Sequence, residues 1–115
     1  NTVVGMSIDI QTRKPKLYTN FGGLSGPAIK PIAIANVYKI YKAVNIPVIG
    51  IGGIATIEDV IEFLLAGASL VQIGTMNYQN PNLGPQLKDE LAEYLNEKGI
   101  GDLADVIGKV MYHSN

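Results

Sequence analysis

The chain has 115 residues, of which 47% are hydrophobic and 17% are charged, and its formal net charge at pH 7 is −1. This composition is typical of a folded domain with a buried core, and the near-neutral charge gives no reason to expect a nucleic acid or an anionic membrane as a partner. The sequence contains no cysteine, which excludes disulfides, thiolate metal ligands and a cysteine nucleophile within this stretch.

The first predicted elements are the end of a strand and a β-hairpin. The chain begins with Asn1 rather than methionine, and its first residues are typical of the end of a strand, so we expect an upstream part of the domain to be missing. Residues 5–10 alternate between apolar and polar, and residues 16–20 can pair with them across a polar turn that contains proline. The sequence therefore predicts a hairpin at the surface.

A glycine-rich loop at residues 22–26 leads into the first predicted helix. Ser25 is the expected N-cap, and Pro27 and Pro31 fall in the first turns of the helix, where a missing amide proton does little harm. Apolar residues then recur at helical spacing up to about residue 45, so one face of this helix is expected to be buried.

A strand, a helix and a second strand are predicted next. The apolar run at residues 46–51 is rich in β-branched side chains, which is typical of a strand buried on both faces of a parallel sheet. Thr56 and Asp59 form a capping-box signature for the helix, which Gly67 closes. Residues 69–73 form the second strand.

The last predicted elements are a helix from about Leu83 to Gly99 and a short helix that begins at Asp102. Strands that alternate with helices indicate a parallel α/β sheet, either doubly wound or closed as a barrel. We expect one domain, with no linker and no second domain.

The segment GIGGIA at residues 50–55 matches the dinucleotide-binding pattern G-x-G-x-x-G/A. That fingerprint also requires an acidic residue about 20 positions later, at the end of the next strand, to hold the ribose hydroxyls. The corresponding stretch reads LVQIGT and contains no carboxylate. A dinucleotide site is therefore disfavoured, and the barrel interpretation is preferred.

The barrel interpretation predicts a phosphate site, because (β/α)₈ enzymes often bind phosphate with the loops after strands seven and eight. Gly52, Gly53 and Gly74 would let main-chain N–H groups point at phosphate oxygens, and Thr75 can add a hydroxyl donor. The alternative is that these glycines only serve tight turns between strands and helices. The loop at residues 22–26 leaves the same two alternatives open, a third set of backbone donors or a flap without a ligand.

Asn1 and Thr2 place an amide and a hydroxyl on the same side as the glycine loops. An asparagine side chain both donates and accepts hydrogen bonds, which suits a ring that carries amide groups. An Asx-type turn residue explains Asn1 equally well.

The strings NTVVGMSID, FGGLSGPAIKP, IPVIGIGGI and AGASLVQIGT, in this order and spacing, resemble the C-terminal part of class 1 dihydroorotate dehydrogenase. The resemblance covers essentially the whole chain and is strongest at residues 22–31 and 46–75. It implies that residues 1–115 are the C-terminal half of a TIM (β/α)₈ barrel with a β-hairpin excursion, within a single FMN-binding domain. It also implies the oxidation of dihydroorotate to orotate in the de novo synthesis of UMP.

The resemblance implies a role for seven residues. Those that match FMN-binding positions are Gly26, Gly52, Gly53, Gly74 and Thr75. Those that match residues holding the pyrimidine are Asn1 and Thr2. The general base and the flavin-contacting lysine of the family belong to earlier strands, so we expect no catalytic residue and no metal site in this segment, and no activity from it alone.

The string NTVVGM resembles the NAD-linked catalytic subunit, class 1B, more than the fumarate-linked enzyme. This resemblance implies a partner subunit that carries FAD and a 2Fe-2S cluster. We further expect a homo-oligomer and a cytoplasmic location. The alternative from another enzyme class is a non-redox TIM barrel that binds a sugar phosphate.

Overall fold

The computed structural model describes residues 1–113 and shows a mixed α/β arrangement. The strands are short, and three 3₁₀ turns lie at Pro27–Ile29, Thr75–Asn77 and Leu103–Asp105. The strands are β1 (Val3–Gly5), β2 (Ile8–Asp9), β3 (Lys14–Pro15), β4 (Gly22–Leu24), β5 (Ile49–Ile51) and β6 (Leu70–Gln72). The helices are α1 (Lys30–Ala43), α2 (Ile57–Ala66) and α3 (Leu83–Glu97). No helix within residues 1–113 has the length and apolarity needed to cross a bilayer.

The first 24 residues form two small antiparallel pairs. The predicted hairpin is present, but its strands β2 and β3 are only two residues each, and Ile8 lies opposite Pro15. Residues 16–20 were expected to be the second strand and instead form turns. Asn20 adopts a φ of 68°, which reverses the chain so that β4, predicted as loop, pairs with β1.

Strands β5 and β6 are a parallel pair joined by α2, as the sequence predicts. Ile49 lies opposite Leu70, and Gly50 lies opposite Val71. A side chain at Gly50 would collide with Phe63, which is completely buried, so glycine lets α2 lie directly on the strand. The prediction of a βαβ unit is thus confirmed in this pair.

The expectation that β5 is buried on both faces is wrong for the described residues. Ile49 is 50% exposed and its neighbour Leu70 is 63% exposed. The reason is that successive strand side chains point to opposite faces, and α2 covers only the face on which Gly50 lies. The opposite face of the pair is apolar and uncovered within residues 1–113.

The hydrophobic core lies between α1, α2 and α3, on the covered face of the parallel pair. Ala33 and Val37 supply the buried face of α1, whereas Ile32 and Ile40 of the same helix are exposed, so the predicted apolar face of α1 is buried only in part. The buried apolar residues of this core are Ala33, Val37, Val48, Ile54, Val60, Ile61, Phe63, Leu64, Ala66, Ala68, Leu83, Leu87 and Val106.

The start of α1 differs from the prediction. Ser25 does not cap it, since the 3₁₀ turn before α1 follows Gly26 and has no side-chain cap. The Ser25 hydroxyl instead accepts a hydrogen bond from Thr75 Oγ1 at 2.9 Å. Pro27 and Pro31 have no N–H group, so fewer donors at this end need a cap.

The ends of α2 and α3 agree with the sequence. Thr56 accepts from the Asp59 N–H and the Asp59 carboxylate accepts from the Thr56 N–H, which completes the capping box. Gly99 follows the last turn of α3, and the side chain of Asp102 accepts from Ala104 N–H to open the final 3₁₀ turn. These signals are local in sequence, which is why they could be predicted.

Gly67 ends α2 with a φ of 129°, a conformation that favours glycine. A Cβ atom there would collide with the ring of Tyr41 from α1. Glycine at this position therefore both terminates α2 and lets α1 pack against its end.

We expect Gly67→Ala to lower the free energy of unfolding by about 1 to 3 kcal/mol, because it adds backbone strain and a steric clash. The control is Gly101→Ala, where φ is ordinary and the space is open, so stability should stay constant or rise by less than about 1 kcal/mol. Thermal unfolding of the two variants beside the wild type measures both effects. Equal midpoints for the two variants would contradict this account of Gly67.

Candidate functional site

Several loops meet at the carboxyl ends of β5 and β6. The loop before α1 is joined to the end of β6 by the hydrogen bond between Ser25 and Thr75. Asn1 Nδ2 donates to the carbonyl oxygen of Ile51, the last residue of β5, at 3.1 Å. The structure thus brings together the three glycine-containing loops and the asparagine that the sequence singled out.

Gly53 is where two of these loops touch. Its φ is 75°, and a Cβ atom there would lie 2.7 Å from the carbonyl oxygen of Gly26 and 3.0 Å from the backbone nitrogen of Lys30. Non-bonded atoms at these distances overlap, so only glycine allows the turn after β5 to approach the start of α1. A side chain on Gly53 would point into the protein rather than into open space.

Steric crowding also explains why residue 52 is glycine. A Cβ atom on Gly52 would lie 2.8 Å from Cβ of Ala33 and 3.3 Å from Cδ1 of Ile29. Both glycines after β5 therefore support close packing against the segment that begins α1. The tight-turn interpretation left open by the sequence accounts for their missing side chains.

Gly26 and Gly74 differ from Gly52 and Gly53. A Cβ atom at either position would meet no atom within 4 Å. Gly74 has a negative φ of −110° with a ψ of −93°, a combination outside the helical and extended regions. Side-chain packing within residues 1–113 therefore does not require glycine at position 74, and the space in front of the β6 loop is open.

Backbone N–H groups at this edge are available for a ligand. Within residues 1–113, the N–H groups of Gly53, Gly74 and Thr75 make no hydrogen bond to the protein. Neutral N–H groups in adjacent loops form the concave donor sets that bind phosphate and other anions. The geometry at this edge is therefore suited to an anionic oxygen ligand.

The N-terminus of α2 is partly occupied by a carboxylate of the chain itself. Asp59 Oδ2 accepts from the N–H groups of Ala55 at 2.9 Å and Thr56 at 3.0 Å. An internal negative charge thus already lies at the positive end of the helix dipole, which makes this end less favourable for an external anion.

A charged cluster that the sequence analysis missed lies behind the loops. Lys30 Nζ contacts Asp59 Oδ1 at 2.6 Å and Glu62 Oε1 at 2.8 Å. Asp59 is the buried charged residue of the described chain, at 8% exposure. The capping box identifies Asp59, but nothing local in the sequence pairs it with a lysine on another helix.

The cluster shifts two pKa values in opposite directions. Hydrogen bonds from Lys30 to Asp59 and then to Glu62 raise the pKa of Lys30 above its ordinary 10.5, against a smaller opposing effect of burial. Burial alone would raise the pKa of Asp59, but the hydrogen bonds from Lys30, Ala55 and Thr56 together outweigh it and hold that pKa below 3.8. Both groups are therefore charged in the folded protein at neutral pH.

Asn1 and Thr2 lie at the same edge and are exposed. Asn1 uses one side-chain N–H on Ile51, and its Oδ1 accepts from the N–H of Thr2 at 2.9 Å. A primary amide has a second N–H and a second lone pair. Asn1 therefore keeps one donor and one acceptor for a ligand while the protein fixes its orientation.

Comparison with known proteins identifies the family. The family model for dihydroorotate dehydrogenase matches residues 1–95. The chain belongs to the dihydroorotate dehydrogenase family. The expectation drawn from the four sequence strings is thereby confirmed.

Named relatives agree with this family. A protein of Desulforamulus reducens, named dihydroorotate dehydrogenase B (NAD(+)), catalytic subunit, is 49% identical over 108 residues, which are 94% of this chain and 36% of that protein. A protein of Solibacter usitatus, named putative dihydroorotate dehydrogenase A (fumarate), is 49% identical over 112 residues, 97% of this chain and 37% of that protein. The chain thus spans about a third of the length of the curated relatives it matches.

A solved structure of the dihydroorotate dehydrogenase of Eimeria tenella, in complex with ferulenol, is also similar. Its TM-score is 0.73 at 33% sequence identity, over 95% of this chain and 29% of that chain. The fold of the present chain is therefore that of one portion of a dihydroorotate dehydrogenase.

The lowered pKa of Asp59 predicts a loss of stability in acid. Its folded-state pKa lies below the ordinary value of 3.8, so its stabilising effect is complete above that value and is lost as the pH falls through the folded pKa. We expect the difference in unfolding midpoint between wild type and Asp59→Asn to shrink as the pH is lowered from neutrality to below 3.8.

Asp89→Asn, on the exposed surface of α3, is the matched control and should differ little from wild type at any pH. Thermal unfolding over a pH series measures both differences. A constant gap between wild type and Asp59→Asn across the series would contradict the role assigned to the Asp59 charge.

Proposed function

We propose that this chain is the C-terminal part of an FMN-dependent enzyme that oxidises dihydroorotate to orotate in the synthesis of UMP. The observation that carries the proposal is the meeting of Gly26, Gly53 and Gly74 with free N–H donors, beside Asn1, in a member of this family. The family supplies the reaction class. The geometry indicates which part these residues would play, namely binding of the cofactor phosphate and of the pyrimidine.

The FMN phosphate would be held by the loops after β5 and β6. The free N–H groups of Gly53, Gly74 and Thr75 are neutral donors, which suits a phosphate whose charge need not be neutralised by a cation. Open space at Gly26 and Gly74 leaves room for the ligand. Gly52 would support these loops indirectly, because it lets the turn after β5 pack closely on α1.

The pyrimidine would be held by Asn1 and Thr2. The remaining donor and acceptor of the Asn1 amide match the alternating N–H and C=O groups of a pyrimidinedione ring. Because Asn1 is held on the end of β5 by Ile51, its amide is already oriented before the substrate binds.

The uncovered apolar face of the β5–β6 pair is an argument that the chain is part of a larger barrel. Ile49 and Leu70 are half-exposed on that face, and burial of apolar side chains is the main driving force of folding. We propose that residues 1–115 are the C-terminal half of a (β/α)₈ barrel whose other strands cover this face. Those strands would carry the general base and the flavin-contacting lysine.

In this scheme the present residues bind and orient, and the proton is removed by a group outside them. FMN, when bound, supplies the two-electron acceptor for the hydride. Asn1 and Thr2 would hold the ring against the cofactor, since a precisely positioned reactant lowers the entropic part of the barrier.

We further propose the NAD-linked subclass, on the string NTVVGM and on relatives whose names contain "B (NAD(+)), catalytic subunit". A catalytic subunit implies a second subunit, which would carry FAD and a 2Fe-2S cluster. A homo-oligomer and a cytoplasmic location complete the proposal.

The complete enzyme should retain FMN, absorb in the flavin bands and form orotate from dihydroorotate, whereas the isolated 115-residue chain should form none. In the complete enzyme, Gly74→Val should lower FMN content at least about tenfold, because its side chain would enter the space left for the ligand, where a Cβ atom meets no protein atom within 4 Å.

The control for this test is Gly101→Ala, which should keep its flavin. Gly74→Val should also keep the unfolding midpoint of the FMN-free enzyme, which separates ligand exclusion from misfolding. A colourless wild-type enzyme that binds a sugar phosphate would overturn the proposed function, and full flavin content in Gly74→Val would remove Gly74 from the site.

Asn1→Ala in the complete enzyme should raise KM for dihydroorotate by about tenfold, the cost of roughly one good hydrogen bond, and leave flavin content unchanged. Asn96→Ala, exposed on α3, is the matched control. Steady-state kinetics and flavin absorbance measure the two effects. Loss of flavin with an unchanged KM would place Asn1 on the cofactor instead.

A further inference from the structure

The Lys30–Asp59 ion pair joins two elements that the proposed cofactor site must hold at a fixed spacing. Lys30 is the first residue of α1, and Asp59 lies in the first turn of α2. Their side chains meet at 2.6 Å. The pair therefore ties the start of α1 to the start of α2, directly behind the glycine loops.

The two carboxylate oxygens of Asp59 have different partners. Oδ1 binds Lys30, and Oδ2 binds the N–H groups of Ala55 and Thr56. Ala55 and Thr56 come immediately after the turn that contains Gly53. One buried carboxylate thus connects α1, through Lys30, to the backbone of the β5 loop.

The backbone of Lys30 also bounds the loop from the other side. The space above Gly53 is closed by the Lys30 nitrogen and Cβ and by the Gly26 carbonyl oxygen, all within 3.0 Å of where a Cβ would lie. Any movement of the start of α1 would change this spacing. It would move Gly26 relative to the free N–H group of Gly53.

The positive charge of Lys30 is offset within the protein. Its ammonium group already contacts two carboxylates, those of Asp59 and Glu62. One N–H of the ammonium group remains, but the two carboxylates offset its single positive charge and so remove the electrostatic attraction for an anion. Its effect on a cofactor would therefore be indirect, through the position of the loops.

We infer that Lys30 and Asp59 are positioning residues for the cofactor phosphate, and that they set the distance between the Gly26 loop and the Gly53 loop. This inference rests on the proposed function, because it takes FMN as the ligand of those loops. Supporting groups of this kind, which orient the atoms that touch a ligand, change affinity without contacting the ligand themselves.

The test is the Kd for FMN, measured by quenching of flavin fluorescence as the FMN-free complete enzyme is titrated. Lys30→Met should raise Kd roughly tenfold, the lower end of what such supporting groups contribute elsewhere. Lys30→Arg keeps the charge and should bring Kd back near the wild-type value. Lys39→Met, exposed on the same helix, should leave Kd unchanged.

A destabilised control separates positioning from general stability. Leu87→Ala removes a buried side chain of α3 and should lower the unfolding midpoint while keeping the wild-type Kd. If Lys30→Met does not fold, Lys30→Gln replaces it, with the same expected direction.

The outcomes are distinct. No FMN binding by the wild-type enzyme overturns the proposed function, and the inference falls with it. Wild-type binding together with an unchanged Kd in Lys30→Met overturns the inference alone. An equal rise of Kd in Leu87→Ala also overturns it, since that would show an effect of stability rather than of loop position.

Discussion

The arrangement of the candidate site depends on one carboxylate. Asp59 closes the capping box that starts α2, accepts from the turn after β5, and binds the lysine that starts α1. Its burial is tolerated because both oxygens have partners, whereas an unpaired charge at the same depth would be strongly destabilising. The β5 loop, α1 and α2 are therefore linked to one another through a single side chain.

This arrangement explains why glycines that look alike in the sequence differ in role. Gly53 is enclosed by the backbone of α1 and of its preceding loop, so the contact between loops leaves no room for a side chain. Gly74 faces open space, so no packing contact within residues 1–113 requires glycine there. The sequence treats both as the ends of apolar runs, and the structure assigns one to packing and the other to accessible space.

The predictable parts of the structure were those set by neighbouring residues. The capping box at Thr56, the termination at Gly67 and the parallel βαβ unit each follow from a short pattern. The pairing of β1 with β4 and the contact between Lys30 and Asp59 depend on residues far apart in the chain, which no local pattern specifies. Ser25 also shows that local patterns do not specify distant contacts. Serine is a common N-cap residue, but here its hydroxyl accepts a hydrogen bond from Thr75. The candidate site shows both cases: its glycines were named from the sequence, and the ion pair that supports them was not.

The end of α2 is completed by a distant segment. The carbonyl oxygens of Leu64 and Leu65, in the last turn, accept from the N–H groups of Gly108 and Val110 at 2.9 and 3.1 Å. The Leu64 carbonyl also accepts from the N–H group of Gly67 at 3.0 Å, and the last carbonyls of a helix otherwise need partners outside it. The last turn of α2 and the segment that follows the final 3₁₀ turn are thus one cooperative unit, whose amides would exchange with solvent together rather than as a fraying helix end and a loose tail. Helix α2, which covers β5 and β6, is accordingly held in part by residues 108–110, near the end of the described chain.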